Sequence, residues 1–227
     1  MAIRGLLFDK DGTLFDFNST WGRWTAEVIR EFTTDATLQG RLARRLGYDL
    51  AAERFLPDSV VIAGTPQEVA ELAAQELGRD ASELAREFNE RSARVTQVEA
   101  VPLVPFLSAL RADGFALGVA TNDAEGPARA HLERAGVIQL FDFIAGYDSG
   151  YGAKPAPGMC LAFCEATGLA PDEVAMIGDS PHDLLAAKAA GMHPIGVETG
   201  PYPRAEIAPL AEKVFFNISG LVEWLKK

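Results

Sequence analysis

The segment Leu6–Leu14, with the sequence LLFDKDGTL, decides the fold of this chain. It overlaps an apolar run, Ile3–Phe8, which has the length of a strand and the composition of one buried on both faces. Two carboxylates, Asp9 and Asp11, follow the run, and Gly12 then allows the backbone to turn sharply. Because ligand sites of α/β sheets form at the carboxyl ends of strands, this order predicts a site directly after the strand.

The same segment is also typical of an acidic turn with a glycine at its tip, because Asp-rich turns are common. Two carboxylates two residues apart repel each other unless a cation or a shared proton relieves the repulsion. On these residues alone, a ligand site and a plain acidic turn are both open interpretations.

Strand-like and helical patterns alternate in the C-terminal part of the chain. The further apolar, strand-like runs are Ala116–Thr121, Phe143–Gly146, Val174–Gly178, Pro194–Val197 and Val214–Ile218. The helical patterns between them are Pro102–Asp113, Pro127–Ala135, Gly158–Thr167 and Pro181–Ala190. This alternation predicts an α/β fold with a Rossmann-like parallel sheet that helices cover on both faces.

Residues 16–97 have a different pattern, rich in Ala, Arg and Glu and almost without strand signal. Thr65–Glu68 and Asp80–Glu83 resemble capping boxes that begin helices, and earlier helices are expected over residues 19–32 and 36–46. The sequence therefore predicts an all-helical domain, residues 16–97, inserted into a core made of residues 1–15 and 98–227.

The composition excludes several classes of protein. The chain has 227 residues, 48% of them hydrophobic, and a formal net charge of −11. A packed core is expected, whereas binding to nucleic acid or to anionic membranes is not. No signal peptide or membrane-spanning run is visible. Cys160 and Cys164 lie four apart in a helical pattern, where a disulfide is unfavourable, so we expect small core residues and a cytoplasmic protein.

Three later segments also carry polar groups at strand ends or in loops. Thr121 and Asn122 end the second strand-like run, where they suit phosphate oxygens or an ordinary helix start. Lys154 precedes a proline, and its ammonium suits either a phosphoryl group or solvent. Asp179 and Asp183 follow another buried strand and offer hard oxygen ligands for Mg²⁺. Asp183 also fits the first turn of a helix, where its negative charge would interact favourably with the helix dipole.

In this order the segments resemble the haloacid dehalogenase superfamily. Its phosphatases carry Asp-x-Asp-Gly-Thr, then Thr or Ser, then Lys, then Gly-Asp-x-x-x-Asp. Residues 178–183, GDSPHD, match the last pattern directly, and the resemblance covers nearly the whole chain, with residues 16–97 in the place of the substrate-covering cap. Phe8–Leu14 is particularly similar to phosphoglycolate phosphatases and their relatives.

The resemblance implies a role for each of these residues. Asp9 would be the nucleophile that forms an aspartyl-phosphate, and Asp11 the general acid and base. Mg²⁺ would be held by Asp9, the Asp11 backbone carbonyl and Asp179, with Asp183 acting directly or through water. The residues expected to hold or steady the phosphoryl group are Gly12, Thr13, Thr121, Asn122 and Lys154.

The function expected from the resemblance is a Mg²⁺-dependent phosphatase of a small phosphorylated metabolite, with phosphoglycolate the first substrate to test. A phosphomutase is the alternative within the superfamily. A non-catalytic phosphoacceptor module is the alternative in another class, although Asp11, Lys154 and the insert argue against it. The protein is expected to be a monomer or a homodimer.

Two features of the insert remain open from sequence. Arg41, Arg44 and Arg45 share one helix face, which suits either an acidic leaving group or a solvated face. Trp21 and Trp24 suit either the wall of a substrate chamber or the core of the insert.

Overall fold

The structure is a computed structural model that describes residues 3–56 and 58–226. Its strands are β1 (Gly5–Phe8), β2 (Tyr48–Asp49), β3 (Arg54–Phe55), β4 (Ala116–Ala120), β5 (Phe143–Ala145), β6 (Val174–Gly178), β7 (His193–Val197) and β8 (Lys213–Phe215). Its α-helices are α1 (Phe17–Phe32), α2 (Ala36–Arg45), α3 (Val60–Ala63), α4 (Pro66–Leu77), α5 (Ala81–Ser92), α6 (Leu103–Ala112), α7 (Glu125–Arg134), α8 (Gly158–Thr167), α9 (Pro181–Ala190), α10 (Arg204–Ile207) and α11 (Leu221–Trp224).

Six strands form a parallel sheet in the order β5-β4-β1-β6-β7-β8. After β5 the chain crosses to the other side of β1 and continues with β6, so the strand order reverses at β1. The carboxyl end of a strand at such a switch point is where α/β sheets bind ligands. The predicted α/β fold with a parallel core sheet is confirmed.

Helices cover both faces of the sheet because strand side chains alternate between them. Leu6 and Phe8 of β1 pack in one cluster with α6 and α11, whereas Leu7 packs in the opposite cluster with α8 and α9. Cys160 and Cys164 are buried free thiols in that second cluster, as the sequence predicts.

The predicted core elements agree with the observed ones, with differences at their ends. The last strand ends at Phe215 rather than Ile218, because Asn217 accepts the Ser219 N–H at 2.9 Å and begins a short 3₁₀ turn, Ile218–Gly220. No helix within residues 3–56 and 58–226 has the length and apolar character needed to cross a bilayer.

Helices α1 to α5 pack around an apolar cluster of their own, separate from the two clusters of the sheet. Their starts are capped: Thr65 and Glu68 form a reciprocal capping box, whereas at Asp80 the side chain accepts the Glu83 N–H at 3.0 Å. We call the segment that carries these helices, residues 17–92, the cap.

The cap is not all-helical, which corrects the prediction. Strands β2 and β3 form a short antiparallel hairpin. The rings of Tyr48 and Phe55 lie 5.0 Å apart, and Phe55 also contacts Phe17 at 5.2 Å between ring centroids. Aromatic cross-strand pairing of this kind stabilises a hairpin too short to leave an alternating pattern in the sequence.

Two neighbouring segments connect the cap with the sheet. The Asp16 N–H donates to the Val98 carbonyl at 2.7 Å, and the Ala100 N–H donates to the Leu14 carbonyl at 2.9 Å. The acids that follow β1 therefore lie directly beneath the cap. The division into residues 1–15 with 98–227 and 16–97 stays a prediction.

Candidate active site

Three buried carboxylates meet at the carboxyl edge of the sheet. Asp9 follows β1, Asp179 follows β6, and Asp183 lies in the first turn of α9. One oxygen of each lies within 4.8 Å of the other two. The parallel pairing of β1 with β6 brings two of these acids together, which no separation along the sequence could specify.

Lys154 is the cation inside this acid cluster. Its Nζ donates to Asp9 Oδ1 at 2.6 Å, to Asp183 Oδ1 at 2.5 Å and to the Ala120 carbonyl at 2.8 Å. Burial disfavours the charged form, but Asp183 and Asp9 outweigh it and raise the pKa of Lys154. The loop-lysine interpretation in which this side chain is solvated is therefore wrong.

One ammonium does not balance three carboxylates. Burial raises the pKa of Asp9 to about 7 against the opposing effect of Lys154, and burial beside Asp183 and Asp9 raises that of Asp179 well above its usual value. A second cation would relieve this cost, and carboxylate oxygens are the ligands that Mg²⁺ prefers. The residues present therefore fit a divalent cation.

Glycines bring the backbone close to Asp179. Gly12 has φ +84°, and a Cβ there would lie 2.5 Å from the Asp179 carboxyl group. A Cβ on Gly200 would lie 1.7 Å from Asp179 Oδ2, so only glycine fits at this position. Sequence reasoning missed Gly200, although it follows β7 at the same edge of the sheet.

Asp183 both caps α9 and belongs to the acid cluster. Its Oδ2 accepts the Ser180 N–H at 3.0 Å and the Ser180 hydroxyl at 2.7 Å, while Oδ1 accepts Lys154. The interpretation of Asp183 as a residue of the first helical turn is therefore confirmed, whereas its role as a metal ligand stays a prediction.

The Thr121-Asn122 segment positions the lysine loop. The Asn122 side chain donates to the Lys154 carbonyl at 2.9 Å and accepts the Lys154 N–H at 2.8 Å. Thr121 is buried beside the cluster, and its Oγ1 accepts the Asp123 N–H at 3.1 Å. Thr13 is fully buried, and its hydroxyl has no hydrogen-bond partner among the residues described.

Asp11 is held from the core and from the cap. Lys10 Nζ donates to its Oδ2 at 2.5 Å, and the Trp21 indole N–H donates to its Oδ1 at 2.8 Å. Trp21 is thus both a buried residue of the cap cluster and a neighbour of the site, so its two proposed roles coincide. One of the two side chains that hold the second acid of the motif therefore comes from the cap.

Lys10 is the functional neighbour that sequence reasoning missed. It is fully buried, and besides Asp11 its Nζ contacts Asp123 Oδ2 at 3.2 Å and His131 Nδ1 at 3.1 Å. Burial opposes its charge, but Asp11 and Asp123 outweigh that effect and raise the pKa of Lys10. Burial, with Lys10 beside it, lowers the pKa of His131 to about 4, so this histidine is neutral at pH 7.

Replacing Lys10 by Met should destabilise the protein by about 3 kcal/mol, because it leaves two largely buried carboxylates without their cation. Urea unfolding monitored by fluorescence would measure the loss. Lys226→Met, which removes an exposed lysine, is the matched control. Adding Asp123→Asn to Lys10→Met should recover part of the stability. A Lys10→Met protein as stable as the wild type would contradict this interpretation of the network.

A cavity of about 140 Å³ joins the acid cluster with the interior of the cap. Its core wall includes Asp9, Asp11 and Lys154, and its cap wall includes Trp21 and Trp24. The cavity places these acids where a ligand held by the cap would meet them.

The arginine face of α2 does not reach this cavity. Arg41 pairs with Glu76 at 3.1 Å, Arg45 contacts Gln75, and Arg44 is exposed. None of the three lines the cavity. The solvated interpretation of this face is confirmed, and the one that assigns it to an acidic leaving group is wrong.

Comparison with known proteins identifies the family. The sequence profile of the haloacid dehalogenase-like hydrolases matches residues 3–191. The chain belongs to this family. A phosphoglycolate phosphatase from Rhodospirillum rubrum is 42% identical over 120 residues, 52% of this chain and 49% of that protein. The chain thus matches about half the length of this relative.

Another relative aligns over most of its length. A phosphoglycolate phosphatase from Escherichia coli strain K12 is 30% identical over 213 residues, which cover 87% of this chain and 82% of that protein. Among solved structures, a haloacid dehalogenase-like hydrolase from Bacteroides fragilis has a TM-score of 0.72 at 21% identity and covers 96% of this chain and 99% of its own. At that identity the likeness shows the fold alone.

These findings confirm the resemblance drawn from the motifs. Membership of this family bears out the prediction of a hydrolase, and both of these relatives are named phosphoglycolate phosphatases.

Proposed function

We propose that this protein is a Mg²⁺-dependent phosphatase that hydrolyses a small phosphate monoester through an aspartyl-phosphate on Asp9. The observation that carries the proposal is the meeting of Asp9, Lys154, Asp179 and Asp183 at the switch point of the sheet, beneath a cavity that Asp11 also lines. A nucleophile, a positive charge and an acid–base group are thereby within reach of one phosphoryl group.

Hydrolysis takes two displacements at phosphorus. An Asp9 carboxylate oxygen attacks phosphorus while the ester P–O bond breaks, and Asp11 protonates the leaving oxygen. Water then attacks the aspartyl-phosphate, Asp11 takes up its proton, and the bond between phosphorus and Asp9 breaks to release phosphate. Lys154 steadies the negative charge on the transferred group in both steps.

Asp9, Asp179 and Asp183, with the Asp11 backbone carbonyl, would hold Mg²⁺. The bound ion would compensate the carboxylates and the phosphoryl charge, which otherwise repel each other. The contacts of Trp21 and Lys10 orient Asp11, so that its carboxyl group is positioned before substrate arrives.

Replacing Asp11 by Asn should have different effects on substrates with poor and with good leaving groups. For an alkyl phosphate we expect kcat to fall about 10³-fold, because the alkoxide leaves unprotonated. For 4-nitrophenyl phosphate the first step needs no acid, so a burst of nitrophenol should precede slow turnover. Rapid-mixing absorbance measures the burst, and Asp113→Asn, an exposed aspartate, is the control. Equal losses on both substrates without a burst would contradict the assigned role.

The alternatives differ in their products. Phosphoglycolate is the reference substrate because relatives carry that name. Free phosphate from a panel of monoesters supports a hydrolase, whereas an isomerised sugar phosphate supports a phosphomutase. A stable phosphoprotein without turnover would support the phosphoacceptor module. The buried free cysteines support the cytoplasm as the proposed compartment, and a monomer or homodimer stays a prediction.

A further inference from the structure

The cap wall of the cavity is apolar. Its aromatic members are Phe17, Trp21, Trp24, Phe32 and Phe88, and the rest are mostly aliphatic side chains from α1 to α4. Binding pockets with walls of this kind hold the apolar part of a ligand, because removing that surface from water is favourable.

All the charged side chains described in the cavity wall come from the core and not from the cap. The charged side chains are those of Asp9, Asp11, Asp123, Lys154, Asp179 and Asp183. Of the described cap residues that line the cavity, none is an Asp, Glu, Lys or Arg. An anionic leaving group such as glycolate would therefore enter the cap without a counter-ion and lose its hydration, which is costly.

A few polar groups interrupt the apolar wall. Thr25, Asn89 and Ser92 line the cavity. The Asn89 side chain forms a hydrogen bond with Tyr147, and its Oδ1 is buried without a hydrogen-bond partner among the described residues. Among the side-chain donors and acceptors, an amide oxygen accepts an N–H or O–H. A single neutral hydroxyl or amide on an otherwise apolar ligand would satisfy it.

The cavity has the size for one ring. Its volume of about 140 Å³ is close to that of an engineered apolar protein cavity of about 150 Å³ that binds benzene. Because this volume includes the space beside the acid cluster that the phosphoryl group would occupy, the group held by the cap is no larger than one ring.

We infer that the substrate is a phosphate monoester whose alcohol is uncharged and carries one aromatic or branched aliphatic group, bound in the cap cavity. This inference rests on the proposed phosphatase function and names its substrate class. It makes phosphoglycolate a poor substrate, because the glycolate carboxylate meets an apolar wall.

The test compares alcohols of similar reactivity. Benzyl phosphate, phosphoglycolate and methyl phosphate all have an alkyl leaving oxygen that the enzyme must protonate, so differences in kcat/KM report chiefly on contacts with the rest of the alcohol. We expect kcat/KM for benzyl phosphate to exceed that for phosphoglycolate about 10²-fold. Phosphoglycolate turned over faster than benzyl phosphate would overturn the inference while leaving the phosphatase intact. No hydrolysis of any of the three would overturn the proposed function.

A near-isosteric substitution tests the cap wall. Val28, on α1, is buried and lines the cavity, and Val28→Thr replaces one methyl by a hydroxyl. We expect kcat/KM to fall about 5-fold more for benzyl phosphate than for methyl phosphate. Val104→Thr, on an exposed position of α6, is the matched control and should change neither. Equal losses on both substrates would assign Val28 to packing and contradict the inference.

Inhibition of the wild-type enzyme provides a test that needs no substitution. Benzylphosphonate and phosphonoacetate are non-hydrolysable analogues that differ in the same way as the two substrates. We expect the inhibition constant of benzylphosphonate to be about 10-fold lower. A lower constant for phosphonoacetate would place an anion in the cap and overturn the inference.

Discussion

The Asp9→Asn variant should release no measurable phosphate, with kcat lowered by about 10³-fold or more. The reason is chemical, since an amide oxygen is a far weaker nucleophile than a carboxylate and forms no stable acyl phosphate. Because Asp9 is one of three buried carboxylates, its neutralisation also relieves repulsion in the metal-free protein. The fold should therefore survive, and thermal unfolding should show no loss of stability.

Trapping the intermediate makes this result specific. Acid-quenched wild-type enzyme mixed with substrate should gain the mass of one phosphoryl group on the peptide that contains Asp9, and the variant should gain none. Asp113→Asn, which changes an exposed aspartate outside the site, should behave as the wild type. If the Asp9→Asn protein kept activity within tenfold of the wild type, Asp9 would not be the nucleophile and the proposed mechanism would be wrong.

Removal of divalent cations should cause the second largest loss of activity. Excess EDTA should lower kcat by about 10³-fold, and added Mg²⁺ should restore it. Asp179→Asn should leave activity that Mg²⁺ raises only at much higher concentration, because one of three clustered carboxylates is lost. Activity unchanged in EDTA would exclude the metal role given to these acids.

The unfolding temperature provides a readout independent of turnover, and the sign of its pH dependence follows from Asp9. Burial raises the pKa of Asp9 to about 7 in the metal-free protein. Between about pH 4 and pH 7 the native state thus holds a proton that the unfolded chain has lost, so the stability of the metal-free protein falls as pH rises across this window. Mg²⁺ must displace that proton to bind.

The increase in unfolding temperature on adding Mg²⁺ should therefore be larger at about pH 8 than at about pH 5.5. Differential scanning fluorimetry at both pH values measures it. Asp179→Asn should lose most of the increase, whereas Asp113→Asn should keep it. An increase that is the same at both pH values in the wild type would contradict binding by the buried carboxylates.

The two lysines of the site show where sequence reasoning succeeds and fails. Lys154 is a candidate from sequence because it precedes a proline and fits a motif order. Lys10, between the two motif acids, is assigned no role from the sequence, yet it is fully buried and contacts Asp11, Asp123 and His131. Two of these partners, Asp123 and His131, lie far along the chain, and no local pattern indicates that they contact Lys10.

The cap shows the same limit. Helix starts at Thr65 and Asp80 follow from local hydrogen-bonding chemistry and are predicted correctly. The β2–β3 hairpin and the Trp21 contact with Asp11 depend on aromatic packing and on the cap lying over the sheet. Arg41, a candidate from its charge, turns out to pair with Glu76 away from the cavity.

By itself, the sequence determined the alternation of strands and helices and the order of the acids, because these depend on local periodicity and on chemistry at strand ends. Only the tertiary structure decided which acids share one cluster, which acids each lysine contacts, and that the cap presents an apolar wall to the site. Those features depend on parallel pairing of β1 with β6 and on packing between residues distant in the chain. That packing determines which side chains face the cavity, and only those side chains can contact a substrate.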